Sequence, residues 1–105
     1  PLDNGFRLAG PAFTIKYVPA DEFGRSVGDF VDDIPAGAVP VIDNGARVDV
    51  TVWGDLMTTI ASQRQLAGTV IDGVCRDLDR ALEEDYPLFT RAHWMRTGKD
   101  RVRIE

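Results

Sequence analysis

The sequence has little cysteine and no concentration of basic residues. Cys75 is the single cysteine among 105 residues, which excludes an internal disulfide, and the spacing of its neighbours does not suit a zinc site. The net charge of −5 comes from acidic residues spread along the chain, and no basic stripe alternates with aromatic residues. The composition therefore argues against nucleic acid as a direct partner.

Long apolar runs are also missing from the sequence. No window approaches the roughly 18 consecutive apolar residues of a membrane-spanning helix, and the N-terminal residues lack the charged-then-apolar pattern of a secretion signal. A lone cysteine is typical of a reducing compartment. Together these features predict a cytoplasmic protein without a membrane partner.

The apolar residues that are present recur with the periods of strands and helices. The apolar fraction of 44% is enough for one modest hydrophobic core, and Gly and Pro separate the segments. The predicted order is β-α-β-β-α-β-α-β-β, an α/β domain that occupies the whole chain. The predicted strands cover residues 11–20, 39–42, 46–53, 69–75, 87–94 and 101–105, and the predicted helices cover residues 21–34, 55–67 and 76–86.

One helix and the strand that follows it bring two polar pairs together. Helix 55–67 is roughly 20 Å long, and strand 69–75 is roughly 23 Å long. Because only Gly68 joins them, the strand runs back beside the helix and returns the chain to the level at which the helix began. The sequence therefore predicts that Gly54-Asp55 and Arg76-Asp77 lie next to each other.

The start of this helix is suited to anion binding. The backbone N–H groups of Asp55, Leu56 and Met57 have no acceptor inside the helix and lie at the positive end of its dipole. Such an arrangement favours a carboxylate or a phosphate. Gly54 lets the ligand approach the backbone closely. The sequence therefore predicts an anion pocket at this position.

The end of the strand adds a cation and an oxygen ligand. Arg76 offers a planar, permanently charged fork to a carboxylate or an enolate oxygen, and Asp77 offers a hard oxygen to a divalent cation such as Mg²⁺. A plainer interpretation is that Asp55 and Asp77 are helix N-caps and that Arg76 pairs with Asp79 or Glu83. Spacing alone leaves both interpretations open.

Several stretches of the sequence resemble one known family. The segments LAGPAFTI (8–15), IPAGAVPVID (34–43) and DGVCRDLD (72–79) are similar to those of RraA-like proteins. That family includes the class II 4-hydroxy-4-methyl-2-oxoglutarate / 4-carboxy-4-hydroxy-2-oxoadipate aldolases and the regulator of ribonuclease E activity. A motif of the aldolase branch is Asp, twenty residues, then Arg-Asp, which here is Asp55, residues 56–75 and Arg76-Asp77.

The resemblance implies a fold and a place for the substrate. The implied fold is a swivelling β/β/α sandwich of the RraA-like or phosphohistidine-domain type. The backbone N–H groups around Gly54, Asp55, Leu56 and Met57 would bind the carboxylate of a pyruvate unit. The small-molecule substrate would therefore be an oxo acid.

The resemblance also implies metal-dependent catalysis. Arg76 would contact the substrate carbonyl and steady an enolate, Asp77 would be the direct ligand of Mg²⁺ or Mn²⁺, and Asp55 would hold a water on that metal. The implied reaction is retro-aldol cleavage of a 4-hydroxy-2-oxo dicarboxylate to pyruvate and a second oxo acid, with oxaloacetate decarboxylation as a side activity. Neither Lys16 nor Lys99 lies in this unit, which favours metal over imine chemistry.

Assembly and completeness follow from the same resemblance. RraA-like proteins usually carry a helical segment before the position of Pro1 and continue past Glu105, so we expect residues 1–105 to be a partial core of one family domain. The aldolases form trimers or hexamers in which acidic residues of a neighbouring subunit help to shape the metal site. The alternative function is that of a non-catalytic, protein-binding regulator of ribonuclease activity. The intact Asp55, Arg76 and Asp77 set favours the enzyme.

The other candidate residues have simpler interpretations. His93, the single histidine, is a conceivable general base, but we expect an ordinary surface or strand residue. Cys75 is expected in the core, and Trp53 and Trp94 are expected in the core or at a subunit contact. A mild basic cluster near the C-terminus is expected to pair with acidic neighbours rather than to bind RNA; it consists of Arg96, Lys99, Arg101 and Arg103.

Overall fold

Five strands, two α-helices and one 3-10 turn make up the described part of the chain, which comprises residues 3, 5–19, 30–95 and 102–104 of a computed structural model. No helix within these residues is long and apolar enough to cross a membrane. The strands are β1 (Ala12–Pro19), β2 (Val39–Asp43), β3 (Thr69–Cys75), β4 (Leu88–His93) and β5 (Val102–Ile104), and the helices are α1 (Asp55–Gln63) and α2 (Leu78–Glu83), with the 3-10 turn at Val31–Asp33.

The strands form one sheet in the order β4-β3-β2-β1-β5. Strands β1 to β4 are parallel, and β5 pairs with β1 in the antiparallel direction. Parallel neighbours need crossover connections, which α1 supplies between β2 and β3 and α2 supplies between β3 and β4. The carboxyl ends of β3 and β4 therefore lie side by side, with Cys75 paired to His93. The predicted α/β class is confirmed.

Helix α1 begins where the sequence predicts but ends earlier. It stops at Gln63 rather than at Ala67, because Gln65 adopts a left-handed conformation with φ of 60°. The Leu66 N–H donates to the Ala61 carbonyl at 3.1 Å and the Gln65 N–H donates to the Ser62 carbonyl at 3.1 Å, which is the Schellman pattern of helix termination. Glycine usually occupies the left-handed position, so the sequence carried no clear signal for this end.

The predicted strand 46–53 is wrong. Its one ladder contact among the described residues is an isolated bridge between Thr51 and Val74. The segment leaves β2 through a tight turn in which Ala46 has a φ of 57°, and the Ala46 N–H donates to the Asp72 carbonyl at 3.0 Å. The alternating valines do not form one buried face, since Val50 is 5% exposed while Val48 is 61% exposed.

The predicted helix 21–34 falls mostly outside the described residues. Its described end is the 3-10 turn at Val31–Asp33, in which Phe30 and Val31 are buried. The last predicted helix is α2, which begins at Leu78 instead of Arg76. Strands β4 and β5 confirm the predicted strands 87–94 and 101–105 with slightly narrower bounds.

A buried polar and aromatic cluster connects α1 with the sheet. Trp53 is 2% exposed, and its indole N–H donates to the Thr58 hydroxyl at 2.9 Å. Its ring stacks on Tyr86 with centroids 6.3 Å apart and an interplanar angle of 16°. The Tyr86 hydroxyl shares a 2.9 Å hydrogen bond with the Thr69 hydroxyl on β3. Trp53 therefore fixes the start of α1 to the interior of the domain, as the core prediction for this residue required.

Ionisation of Tyr86 destabilises the domain at high pH. Burial raises the pKa of Tyr86 from 10.0 to about 12, an effect that its hydrogen bond to Thr69 partly opposes. Because the folded protein keeps a proton that the unfolded chain releases, stability falls as the pH rises from 10.0 to about 12. Between pH 10.0 and about 12, we expect the free energy of unfolding of the unaltered protein to fall by roughly 2 kcal/mol more than that of Tyr86→Phe, as measured by urea denaturation. Parallel pH profiles for the two proteins would contradict the assignment.

Candidate functional site

The two polar pairs meet as the sequence predicts. The Arg76 N–H donates to the Trp53 carbonyl at 2.9 Å, which joins the end of β3 to the residue before the start of α1. The Asp55 N–H lies 3.4 Å from Asp77 Oδ2, a long hydrogen bond across the same junction. Gly54-Asp55 and Arg76-Asp77 therefore form one continuous surface.

Gly54 is favoured by space rather than by backbone conformation. Its φ of −150° is extended and open to any residue. A Cβ added to Gly54 would lie 3.1 Å from Arg76 Nε and 3.1 Å from Asp77 Oδ2, closer than side chains normally pack. The missing side chain is what allows the Arg76 and Asp77 side chains to approach the start of the helix.

Asp55 does not cap α1, contrary to the prediction. Gly54 occupies the N-cap position and Asp55 is the first helical residue. The Asp55 carboxylate instead accepts a 2.7 Å hydrogen bond from the Leu56 N–H. Two of the three amides expected to face an anion thus contact carboxylates, Asp55 N–H through Asp77 and Leu56 N–H through Asp55. An incoming carboxylate would have to replace these acceptors.

Asp77 is held in an unfavourable backbone conformation. Its φ of 58° and ψ of 49° are left-handed, a region that costs a residue with a side chain roughly 1–2 kcal/mol. Asp77 is the N-cap residue of α2, as the plainer interpretation holds, but its side chain makes no capping hydrogen bond. Backbone strain of this kind is concentrated at functional sites.

Arg76 and Asp77 are close but only loosely paired. Arg76 Nε lies 3.9 Å from Asp77 Oδ2, and both side chains are 44% exposed. At this exposure the pair contributes little to stability. The alternative partner Glu83 is instead 4.0 Å from Arg80. Both side chains of the Arg76-Asp77 pair thus remain accessible to a small ligand.

The charges at this junction fit a divalent cation. Asp55, Asp77 and Asp79 bring three carboxylates against the single guanidinium of Arg76, so an anionic ligand would be repelled unless a cation balanced the charge. Among the described residues, no group of three or more His, Cys, Asp or Glu side chains converges on one point. Mg²⁺ commonly uses one or two protein carboxylates and fills its other positions with water and substrate. Asp77, with Asp55 nearby, fits that donor set.

Cys75 precedes Arg76 and is a core residue, as predicted. Its side chain is 0% exposed. Burial is the main cause that raises the pKa of the Cys75 thiol to about 11, while a hydrogen bond with Thr90 opposes the rise and the charge of Asp77 adds to it. The thiol is therefore neutral at physiological pH, which removes it from the candidates for a nucleophile.

A cavity of about 400 Å³ opens beside Arg76 and Asp77. His93 and Trp94, which follow each other at the end of β4, form part of its wall. His93 is exposed on a strand, as expected, but no sequence pattern indicated that it lines the same cavity as Arg76. Trp94 is 48% exposed and so is not a core residue. A larger cavity of about 640 Å³ along β1 and β2 includes none of the residues at the junction.

The family relationship of the chain is decided by comparison with known proteins. A family model named RraA-like and described as Aldolase/RraA matches residues 1–105. The chain belongs to the RraA-like family. The resemblance seen in the sequence motifs is thereby confirmed over the whole chain.

Two curated relatives show the range of lengths in which this domain occurs. The chain is 39% identical over 105 residues to protein DlpA of Legionella pneumophila, a match that covers 97% of this chain and 17% of DlpA. It is 27% identical over 99 residues to a Halalkalibacterium halodurans protein named "Putative 4-hydroxy-4-methyl-2-oxoglutarate aldolase", which covers 94% of this chain and 46% of that protein. The chain thus spans less than half the length of either RraA-like relative.

Solved structures confirm the RraA-like fold. An uncharacterized protein from Pseudomonas syringae superposes with a TM-score of 0.88 at 40% identity, over 99% of this chain and 48% of that chain. RraAS2 of Streptomyces coelicolor, described as an unusual member of the RNase ES inhibitor RraA protein family, superposes with a TM-score of 0.83 at 25% identity. That match covers 91% of this chain and 49% of RraAS2.

The left-handed conformation of Asp77 predicts that glycine and alanine variants at this position rank in stability in the opposite order from those within a helix. At Asp77, we expect Gly to be more stable than Ala by about 1 kcal/mol, because glycine adopts positive φ without strain. At Arg80, in the middle of α2, we expect the reverse, with Ala more stable than Gly by about 1 kcal/mol. Urea denaturation of the four variants measures both differences. The same order at both positions would contradict the strained conformation.

Proposed function

We propose that this chain provides the catalytic core of a divalent-metal-dependent aldolase that releases pyruvate from 4-hydroxy-2-oxo dicarboxylates. The observation that carries the proposal is the meeting of Gly54-Asp55 with Arg76-Asp77, joined by the 2.9 Å hydrogen bond between Arg76 N–H and the Trp53 carbonyl. The names of curated relatives in the same family support the reaction class.

The start of α1 would orient the pyruvate half of the substrate. Its carboxylate would accept hydrogen bonds from the backbone N–H groups of residues 54–57, at the positive end of the helix dipole. The Arg76 and Asp77 side chains pack against Gly54, so the substrate would approach the exposed residues Asp55 and Leu56 beside them. Binding would displace the Asp77 carboxylate from its 3.4 Å contact with the Asp55 N–H.

Arg76 would stabilise the charge that develops during cleavage. The bond between C3 and C4 breaks, the C4 hydroxyl loses its proton to water, and C4 becomes the carbonyl carbon of the departing oxo acid. The electron pair of the broken bond passes to the pyruvate half as an enolate, whose oxygen would accept hydrogen bonds from the Arg76 guanidinium. A proton added at C3 then gives pyruvate.

The metal would be held by Asp77, with Asp55 positioned beside it. A divalent cation such as Mg²⁺ or Mn²⁺ would supply Lewis-acid stabilisation of the enolate charge. Its charge would also offset the excess of carboxylates over guanidinium at the junction, which otherwise opposes an anionic substrate. Oxaloacetate decarboxylation fits the same arrangement, because loss of CO₂ from oxaloacetate leaves the same pyruvate enolate.

Substitution of Arg76 and of Asp77 tests the proposed site directly. We expect Arg76→Ala and Asp77→Ala each to lower pyruvate release from 4-hydroxy-4-methyl-2-oxoglutarate and from oxaloacetate by roughly 100-fold or more, since the first removes the cation that faces the enolate and the second removes the proposed metal ligand. EDTA should abolish turnover, and Mg²⁺ or Mn²⁺ should restore it. A coupled lactate dehydrogenase assay follows pyruvate.

A matched control removes an arginine outside the proposed site. Arg80 of α2 pairs with Glu83 and Glu84 and is not one of the proposed site residues, so the activity of Arg80→Ala should stay within about twofold of the unaltered protein. Titration calorimetry with Mn²⁺ gives a readout apart from activity, and Asp77→Asn should weaken binding. If the folded protein binds the metal but turns over neither substrate, the aldolase proposal is wrong.

The second candidate function is a protein-binding regulator of ribonuclease activity. Its support is the structural match to RraAS2, a member of an RNase inhibitor family. Such a role would need a protein surface and not the Arg76-Asp77 pair. Inhibition of a ribonuclease that persists in Arg76→Ala and Asp77→Ala, together with absent turnover, would favour the regulator.

We further propose that the active form is a trimer or a hexamer. Three apolar side chains near the Arg76-Asp77 pair are exposed: Leu56 at 68%, Trp94 at 48% and Met95 at 82%. A neighbouring subunit would cover such an apolar surface. Light scattering coupled to size exclusion should therefore give three or six times the chain mass. A monomer at all accessible concentrations would contradict the assembly.

A further inference from the structure

The cavity beside Arg76 and Asp77 is separate from the start of α1. It contacts Arg76 and Asp77 but none of residues 54–57. The same two side chains also reach the helix start, since a Cβ on Gly54 would lie 3.1 Å from an atom of each. The Arg76-Asp77 pair therefore borders two compartments, the helix start and the cavity.

The cavity wall is formed by the carboxyl end of β4. His93 pairs with Cys75 in the register of β3 and β4, and the Trp94 N–H donates to the Cys75 carbonyl at 3.0 Å. The two strands thus stay paired up to the residue before Arg76. Because neighbouring strands lie about 4.8 Å apart, the backbone of His93 stands about one strand spacing from Cys75, the residue before the Arg76-Asp77 pair.

The size of the cavity suits a small organic ligand. Its volume of about 400 Å³ lies within the range of small-molecule sites. Leu78, Trp94 and Met95 supply apolar surface, and Asp79 adds a carboxylate to that of Asp77. Among the residues that line the cavity, Arg76, His93 and Trp94 have side chains that can donate hydrogen bonds.

We propose that this cavity is a second subsite, which takes the oxo-acid fragment that departs from the pyruvate unit, and that His93 selects for a carboxylate on that fragment. This inference rests on the proposed aldolase function, in which the bond that breaks lies at the Arg76-Asp77 pair. The pyruvate half then occupies the helix start and the departing half occupies the cavity.

His93 and Trp94 are the donors that remain for the departing fragment, and His93 is the one that can also carry a positive charge. In the proposed reaction Arg76 serves the carbonyl oxygen of the pyruvate half. Asp77 and Asp79 repel a second carboxylate and cannot donate to it while ionised. His93 donates an N–H in either of its protonation states, and Trp94 beside it offers an aromatic face to the carbon skeleton.

A comparison of two substrates tests the subsite. Oxaloacetate releases CO₂ and leaves the cavity little to hold, whereas 4-hydroxy-4-methyl-2-oxoglutarate releases an oxo acid with its own carboxylate. We expect His93→Ala to lower the ratio of kcat/KM for the aldol substrate to kcat/KM for oxaloacetate about tenfold, through KM rather than kcat. His93→Gln, which keeps an N–H donor, should recover part of the ratio.

Arg91→Ala is the matched control for His93→Ala. Arg91 lies two residues earlier on β4, is exposed, and pairs with Asp72 outside the cavity, so its removal should leave the ratio unchanged. An unchanged ratio in His93→Ala, or an equal loss on both substrates, would overturn the subsite. Absent turnover of both substrates by the unaltered protein would instead be a failure of the proposed function.

A binding measurement tests the subsite without turnover. The two tryptophans give separate indole N–H signals in ¹⁵N NMR, and Trp53 is buried and bonded to Thr58 as an internal reference. With Mg²⁺ present, 2-oxoglutarate should shift the Trp94 signal, and His93→Ala should raise the concentration needed for half of that shift about tenfold. A Trp94 signal that does not respond to 2-oxoglutarate, or that responds at the same concentration in His93→Ala, would overturn the proposal.

Discussion

The site depends on the 2.9 Å hydrogen bond from the Arg76 N–H to the Trp53 carbonyl. It fixes the end of β3 to the residue before α1, and so sets the distance between the helix amides and the Arg76-Asp77 pair. Trp53 can serve as this anchor because it is buried, stacked on Tyr86 and bonded to Thr58. A tilt of the helix would break these interior contacts, so the polar surface is positioned by the core beneath it.

The polar groups held by this frame are themselves weakly satisfied. Asp77 has a left-handed backbone and a 3.9 Å contact with Arg76, and its 3.4 Å contact with the Asp55 N–H is long. None of these interactions adds much to folding stability. A ligand can therefore replace them at little cost, whereas the buried contacts of Trp53 would be costly to lose. At this junction the buried contacts of Trp53 carry the stability, and the exposed polar groups of Arg76 and Asp77 contribute little to it.

The comparisons and the geometry bear on function at different levels. The family model covers residues 1–105, while the chain spans 17% of DlpA and 46% of the Halalkalibacterium protein. The domain is thus used in proteins of very different length. The features of the described residues that bear on the proposed chemistry are local, namely the Asp55 to Asp77 unit and the cavity next to it. Chemistry is therefore best tested at Arg76, Asp77 and His93 rather than inferred from overall similarity.

The sequence by itself determined the meeting of the two polar pairs, because helix α1 and strand β3 have matching lengths and a short connection, and local geometry leaves the chain little choice. The tertiary structure alone decided three other points. Residues 46–53 remain without a strand ladder although their valines alternate, since pairing depends on distant partners. Gln65 ends α1 through a left-handed turn. His93 reaches the site because β4 pairs with β3, a contact between residues 18 apart in sequence that no local pattern encodes.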